Sequence, residues 1–408
     1  MNRSHIISGT AALIMMAAPL LGSVFWSRDS LSFIRNAEKR EPAGWPRPSK
    51  PADFFDSVLW QQVNLAINDR IPFRGDLLQL KLDLETRLLK EQLLGANGNE
   101  QVGLGRDGWL FLLQELGGMS GTDDEITFAI SKAEAAGENP SWKARLVLVP
   151  APDKNSIYPE QLSPELERQL QPYAAKRERI RNWFASPGLP ERLDTWSVFF
   201  RAKPNAEEAL YEPTGSHHSS YGSMLLARAM IDAANPDLWD DDFVTHVRTL
   251  TYQSDLRSLA GWVGRTEDWK RYEVIRPGVE LTAFLHNGEL LEGVDRPPET
   301  PGAQNKPARY INQSDSAELV PGRTLIVHDS FIASYLRPTL RQFFADVTFV
   351  HSDTIKPGDL QDALRSFDLV YFEFAERGAR PILQGFFTDQ TPAGEDRILQ
   401  SVALPGRS

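Results

Sequence analysis

The chain contains no cysteine among its 408 residues. That excludes disulfide staples, a thiolate nucleophile and thiolate-ligated zinc. It also lacks any Lys/Arg-rich run, and its formal net charge is −11. A duplex-binding surface needs a basic face for the phosphates, so nucleic acid is excluded as a partner class. A polyanionic substrate would require a local basic groove within a negative whole. No internal repeat is present. One stretch lacks charge altogether: Ile6 to Trp26, IISGTAALIMMAAPLLGSVFW, lies between Arg3/His5 and Arg28/Asp29. About 20 apolar residues span a bilayer core as a helix, whereas a cleavable signal has a shorter apolar stretch and an A-x-A-like site. Leu21–Ser23 (LGS) leaves cleavage open. Anchor or signal, the remainder is sent out of the cytoplasm; a buried core helix is the alternative.

What is present is an ordered succession of elements. Residues 1–27 read as the anchor and 28–53 as a Pro-rich tether (EPAGWPRPSKPADFF). Residues 54–408 read as the globular domain. Apolar residues at three- and four-residue spacing predict helix from Phe54 to about Leu94. QVGLGRDGWLFLL predicts two short strands around a turn at Gly105–Gly108. Beyond it, strands are predicted at Arg145–Val149, before Asp194, at Thr324–Val327, at Val347–Val350 and at Asp368–Phe374. Helices are predicted at Glu165–Phe184, after His217, from Ser334 and through DLQDALRSF. Residues 235–313 are weakly patterned and predict loops or a strand-rich insertion. Strands alternating with helices imply an α/β fold with a mostly parallel sheet flanked by helices.

In such folds reactive groups gather at the carboxyl ends of the strands. Ser330 stands there, after the apolar run TLIV and at the start of the next helix. Unpaired N–H groups at a helix start can stabilise an oxyanion, and amides near Ser330 and Phe331 are the candidates. An ordinary serine N-cap is the alternative. A serine nucleophile needs a base, and His217 and His218 stand together in TGSHHSSYGS. An unperturbed imidazole titrates near pH 6.5, which suits proton relay. Solvated loop histidines are the other reading. Adjacent histidines rarely ligate one ion, so no metal is assigned.

These residues resemble a known family. VHDSF (Val327–Phe331) resembles the nucleophile block of the SGNH/GDSL hydrolases as it occurs in the alginate O-acetyltransferase (AlgX/AlgJ-like) branch, where the histidine motif precedes the serine. NDRIPFR (Asn68–Arg74), GLGRDGWLF (Gly103–Phe111), VPAPDKNSIYPEQL (Val149–Leu162), SDLRSL (Ser254–Leu259) and FDLVYFEFAER (Phe367–Arg377) resemble further family segments in the same order. The family's histidine block is Asp-x-His-Trp with a glycine five residues after the histidine. Aligned on Gly222, His217 takes the catalytic position, His218 the tryptophan position, and Gly215 the position of the aspartate. Loss of such an acid can cost ~10⁴ in rate. Glu212 is the nearest carboxylate in sequence, and His218 is an alternative base.

The resemblance implies an SGNH-like fold and a periplasmic enzyme that acetylates an exported polysaccharide through an acetyl-serine at Ser330. His217 would be the base, and Asp329 would hold the turn. The implied partners are a polysaccharide, a membrane-bound O-acyltransferase that donates acetyl, and an exopolysaccharide biosynthesis and secretion complex. No soluble cofactor or metal is implied. Arg74, Lys154, Tyr158 and Arg377 are the candidates for lining a sugar-binding groove, structural pairing being the alternative for each. An acetylesterase, or a polysaccharide-binding component without catalysis, would use the same fold.

Overall fold

A computed structural model describes residues 101–117, 121–262, 266–286, 289–292 and 306–388, residues 56–71, and shorter pieces between 30 and 94. Ile6–Trp26 lies outside the described residues. Among those described, no helix is long and apolar enough to cross a membrane. The chain divides into two compact units, residues 1–104 with 252–267 and residues 105–251 with 268–408.

In the first unit, helix α1 (Ser57–Asn68) starts where the Asp56 carboxylate accepts from Val58 N, satisfying one of the orphan donors of a helix start. The helix predicted to run on to Leu94 does not reach it. Leu93 and Leu94 instead form a short strand antiparallel to Val102–Leu104. Hydrogen bonding to a neighbouring strand outweighs the helical spacing of these two apolar residues.

The second unit is built on an eight-stranded sheet. Its strands are β1 (Arg145–Ala151), β2 (Glu191–Arg192), β3 (Glu280–His286), β4 (Glu289–Glu292), β5 (Ala308–Gln313), β6 (Val320–His328), β7 (Phe344–His351) and β8 (Leu369–Ala375). Their order across the sheet is β2-β1-β8-β6-β7-β5-β3-β4. The pairs from β2 to β7 are parallel and those beyond β7 antiparallel. Strands β3, β4 and β5 therefore extend the central sheet. Every residue of β8 is buried, as are all of β1 after Arg145. Such continuous apolar runs mark strands covered on both faces.

The connecting helices follow local rules. Thr122 and Glu125 form a reciprocal capping box at α2 (Asp123–Gly137). The single helix predicted over Glu165–Phe184 is divided, with a tight turn at Gln171–Tyr173 before α3 (Ala174–Ala185). Pro172, which has no N–H to donate, sits at the break. Helix α4 (Ser220–Ala234) is capped by Ser219. Helix α5 (Ser330–Leu340) begins at the serine itself and ends before β7, so FFADV is largely strand rather than the helix predicted from Ser334.

Gly222, on the first turn of α4, packs directly on the chain before the histidine pair. A Cβ there would collide with Leu210 O and lie 3.0 Å from the Leu210 carbonyl carbon. Gly222→Ala must push α4 off this backbone. It is expected to cost about 1–3 kcal/mol, as overpacking does, read as a lower urea midpoint at an unchanged slope.

Candidate active site

Ser330 follows the carboxyl end of β6, and the turn before it is held from below. Asp329 is the cap of α5. One carboxylate oxygen accepts from Phe331 N (2.8 Å), the other from Ala375 N at the end of β8 (2.8 Å). Asp329 N in turn donates to Glu373 Oε2 (3.0 Å). Glu373 is fully buried. Burial, and then the charge of Asp329, push its carboxyl well above the usual carboxylate range. Asp329 thus ties the first turn of α5 to the end of β8. The Phe331 amide, expected to face an oxyanion, is instead taken by Asp329. Ser330 N–H has no acceptor among the described residues and is a backbone donor at the helix start.

The histidines divide. His217 Nε2 lies 2.9 Å from Ser330 Oγ, across 113 positions of chain. Its other nitrogen, Nδ1, is 3.1 Å from Ser216 Oγ. A base at Nε2 needs its lone pair there, so in that tautomer Nδ1 carries the proton and Ser216 accepts it. His218 points inward and is 1% exposed. Its Nε2 bonds to Tyr211 OH (2.9 Å), and its ring packs against Phe199, Tyr211 and Phe331. Burial, with a smaller contribution from His217, holds it well below the usual imidazole range. It is a neutral core side chain and does not meet Ser330. The Phe331 ring contacts both imidazoles, at 5.0 and 4.6 Å between centroids.

The loop carrying His217 is fastened at each end. Tyr211 and His218 form an antiparallel bridge, and Ser219 N donates to Leu210 O. The turn between them offers its carbonyls to Lys154, whose ammonium donates to Glu212 O (3.2 Å), Pro213 O (3.1 Å) and Gly215 O (2.5 Å). Lys154 is 0% exposed, with the rings of Trp109 and Phe111 at 5.8 and 5.2 Å from its nitrogen. Three carbonyl dipoles and two aromatic faces replace the water it has lost. Leu110 N adds a bond to Pro213 O. Lys154, a groove candidate from the sequence, has no surface to offer a sugar.

Tyr158 is likewise buried, its hydroxyl accepting from Leu210 N (2.8 Å). Arg377 bonds Asp153 (2.6 Å) and lies 5.7 Å from the Phe331 ring, bracing the residue after the serine. Arg74 belongs to the other unit, where it donates to Asn68 O (3.2 Å).

Glu373 and Ser216 were not anticipated as site residues. A glutamate inside the apolar run LVYFEF is a readable signal of a buried acid; nothing marks Ser216. Also unanticipated is the ionic cluster behind the turn. Glu376 is fully bonded, by Asp153 N, Ser156 Oγ, Arg177 Nε and Trp196 Nε1. Against the pull of burial, Arg177 holds it below the usual carboxylate range. Glu115 is pushed up to about 8 by burial and by the charge of Asp153, and burial pushes Asp153 up to about 6 despite Arg377.

A serine and an imidazole in hydrogen-bond reach at the carboxyl ends of parallel strands define a serine hydrolase or acyltransferase arrangement on an SGNH-like α/β sheet. Residues 102–297, which include His217 but end before Ser330, match the family model described as SGNH hydrolase-like domain, acetyltransferase AlgX. The resemblance to the alginate O-acetyltransferases holds over that segment. No curated protein matches the chain in sequence. Among solved structures, Bacillus cereus PatB1 with a sulfonyl adduct is similar at 14% identity and a TM-score of 0.52, over 71% of this chain and 97% of that one. A DHHW family protein from Eubacterium siraeum is similar at 14% identity and a TM-score of 0.46, over 72% and 97%. The O-acetyltransferase domain of Pseudomonas putida AlgJ is similar at 16% identity and a TM-score of 0.39, over 68% and 92%. At such identity the PatB1 likeness speaks for the shared fold alone.

The raised affinity of Glu115 for its proton has a sign. The folded chain holds that proton up to about pH 8, whereas the unfolded chain releases it near 4.5. Between those limits the folded state binds more protons, so this contribution to stability is present at low pH and lost as pH rises. Glu376, held low, contributes in the opposite sense but only below the ordinary carboxylate range. Unfolding free energy from urea titrations is expected to fall between about pH 6 and 8, by up to about 1.4 kcal/mol per pH unit for one proton. In Glu115→Gln that slope should flatten.

Proposed function

We propose that the protein transfers acetyl groups to hydroxyls of an exported polysaccharide through an acetyl-serine at Ser330. The single observation that carries this reading is the 2.9 Å approach of His217 Nε2 to Ser330 Oγ. Ser330 Oγ attacks the acetyl carbonyl of the donor and passes its proton to His217 Nε2. The bond to the donor's leaving oxygen breaks, and that oxygen takes the proton from His217. A sugar hydroxyl then repeats the sequence in reverse. Its proton goes to His217, its oxygen bonds the acetyl carbon, and Ser330 Oγ leaves and recovers a proton. The Ser330 amide, with the positive end of α5 behind it, faces the developing oxyanion.

The acetyltransferase description of the matching family model supports transfer over hydrolysis. The uncharged run Ile6–Trp26 supports export and a single anchor, with catalysis on the outer face of the inner membrane. A membrane-bound O-acyltransferase would then supply acetyl at that face, within a complex that assembles and secretes the polymer.

Wild-type protein is expected to release the chromophore of 4-nitrophenyl acetate and to label at Ser330 with a sulfonyl fluoride. Ser330→Ala and His217→Ala should lose at least about 10³-fold in turnover, the scale of removing one member of a nucleophile–base pair. Equal background rates in wild type and Ser330→Ala would instead identify a binding component. Acetate retained on added oligosaccharide, seen by mass spectrometry, separates transfer from hydrolysis.

A further inference from the structure

The histidine loop lacks the aspartate that its family block places two residues before the histidine, where Gly215 stands. The volume such a side chain would fill is not empty. A Cβ built on Gly215 would collide with Glu212 Oε2, and would lie 3.0 Å from Glu212 Cβ and 3.3 Å from its Cδ. Glu212 has folded back over the turn that its own carbonyl closes with Gly215 N (3.1 Å). Its carboxylate occupies the place of a side chain at 215, and only glycine there admits it. Glu212 is buried.

Ser216, the residue after Gly215 in the chain, has its Oγ 3.1 Å from His217 Nδ1. A hydroxyl can accept one proton and donate its own. An imidazole that must become an imidazolium during acyl transfer is stabilised by a negative charge on its Nδ1 side. Among its described neighbours, Phe331 is apolar and His218, held well below the usual imidazole range by burial, is neutral.

We propose that Glu212 replaces the missing acid as a positioning residue, acting on His217 through the Ser216 hydroxyl, with Gly215 as the vacancy that lets it in. This rests on the acyl-serine reading of Ser330 and His217. The relay runs from His217 Nδ1–H to Ser216 Oγ and from Ser216 O–H toward the Glu212 carboxylate.

The test is steady-state turnover of 4-nitrophenyl acetate by the full chain across pH, with thermal midpoints recorded for each variant. Glu212→Gln should lower kcat roughly 10- to 10³-fold, less than the ~10⁴ of a directly bonded acid. Its KM should stay within about twofold, and the acid limb of kcat/KM should move to lower pH because the imidazolium has lost its counter-charge. Ser216→Ala should give the same split. Gly215→Ala, which displaces the carboxylate, should do so with Glu212 intact. The double variant Glu212→Ala/Gly215→Asp should recover much of the rate. A Glu212→Gln protein with wild-type kcat and pH profile would overturn the inference while leaving Ser330-dependent turnover standing. Wild-type turnover that does not depend on Ser330 would overturn both. Should Glu212→Gln fail to fold, the Ser216→Ala profile decides alone.

Discussion

A single buried ammonium holds the site together. Lys154 donates to three carbonyls of one turn, and that turn aims His217 at the serine. Glu212 O and Pro213 O also accept from Gly215 N and Leu110 N, but the ammonium, buried without these three carbonyls, would be left uncompensated at a high cost. Trp109 and Phe111 close the arrangement with aromatic faces, and Tyr158 and Leu110 fasten the neighbouring backbone. The segments likened to family motifs around Gly103–Phe111 and Val149–Leu162 thus brace the loop that bears the base.

A second constraint acts on the serine side. Asp329 joins the start of α5 to the end of β8, and the buried Glu373 accepts from its backbone N–H. Behind them, three carboxyl groups and the Arg177 guanidinium are shut away from water, with Arg377 at the edge. Such clusters are poor sources of net stability but enforce one arrangement, because any other would strand a charge. Arg377 carries this rigidity to Phe331, and Phe331 to both imidazole rings.

Much of this was legible in the residues. The strands of the parallel core are long apolar runs whose burial on two faces dictates their composition, so β1, β6, β7 and β8 were visible as such. The serine at a strand's end and the paired histidines were visible too, because chemistry restricts which residues can stand there. What was hidden depends on the third dimension. The stretch from Glu280 to Gln313 reads weakly because its strands pair antiparallel at one side of the sheet and need no uniform apolar run. Leu93 and Leu94 carry a helical spacing that a neighbouring strand overrules. Lys154 and Tyr158 look like groove residues, since a charge or hydroxyl in a loop is usually solvated, and only coordinates reveal that they turn inward. The two histidines are ranked in the sequence only through the resemblance aligned on Gly222; their residue type and spacing alone do not separate them.

The order of the strands carries a consequence of its own. β8, last of the sheet in the chain, lies between β1, which leads to Lys154, and β6, which leads to Ser330. Until residues 369–375 are in place, the halves bearing base and nucleophile have no shared register. A nascent or truncated chain ending before Leu369 would hold every reactive side chain and yet align none of them. The nucleophile is thereby kept unarmed until assembly of the domain is all but finished.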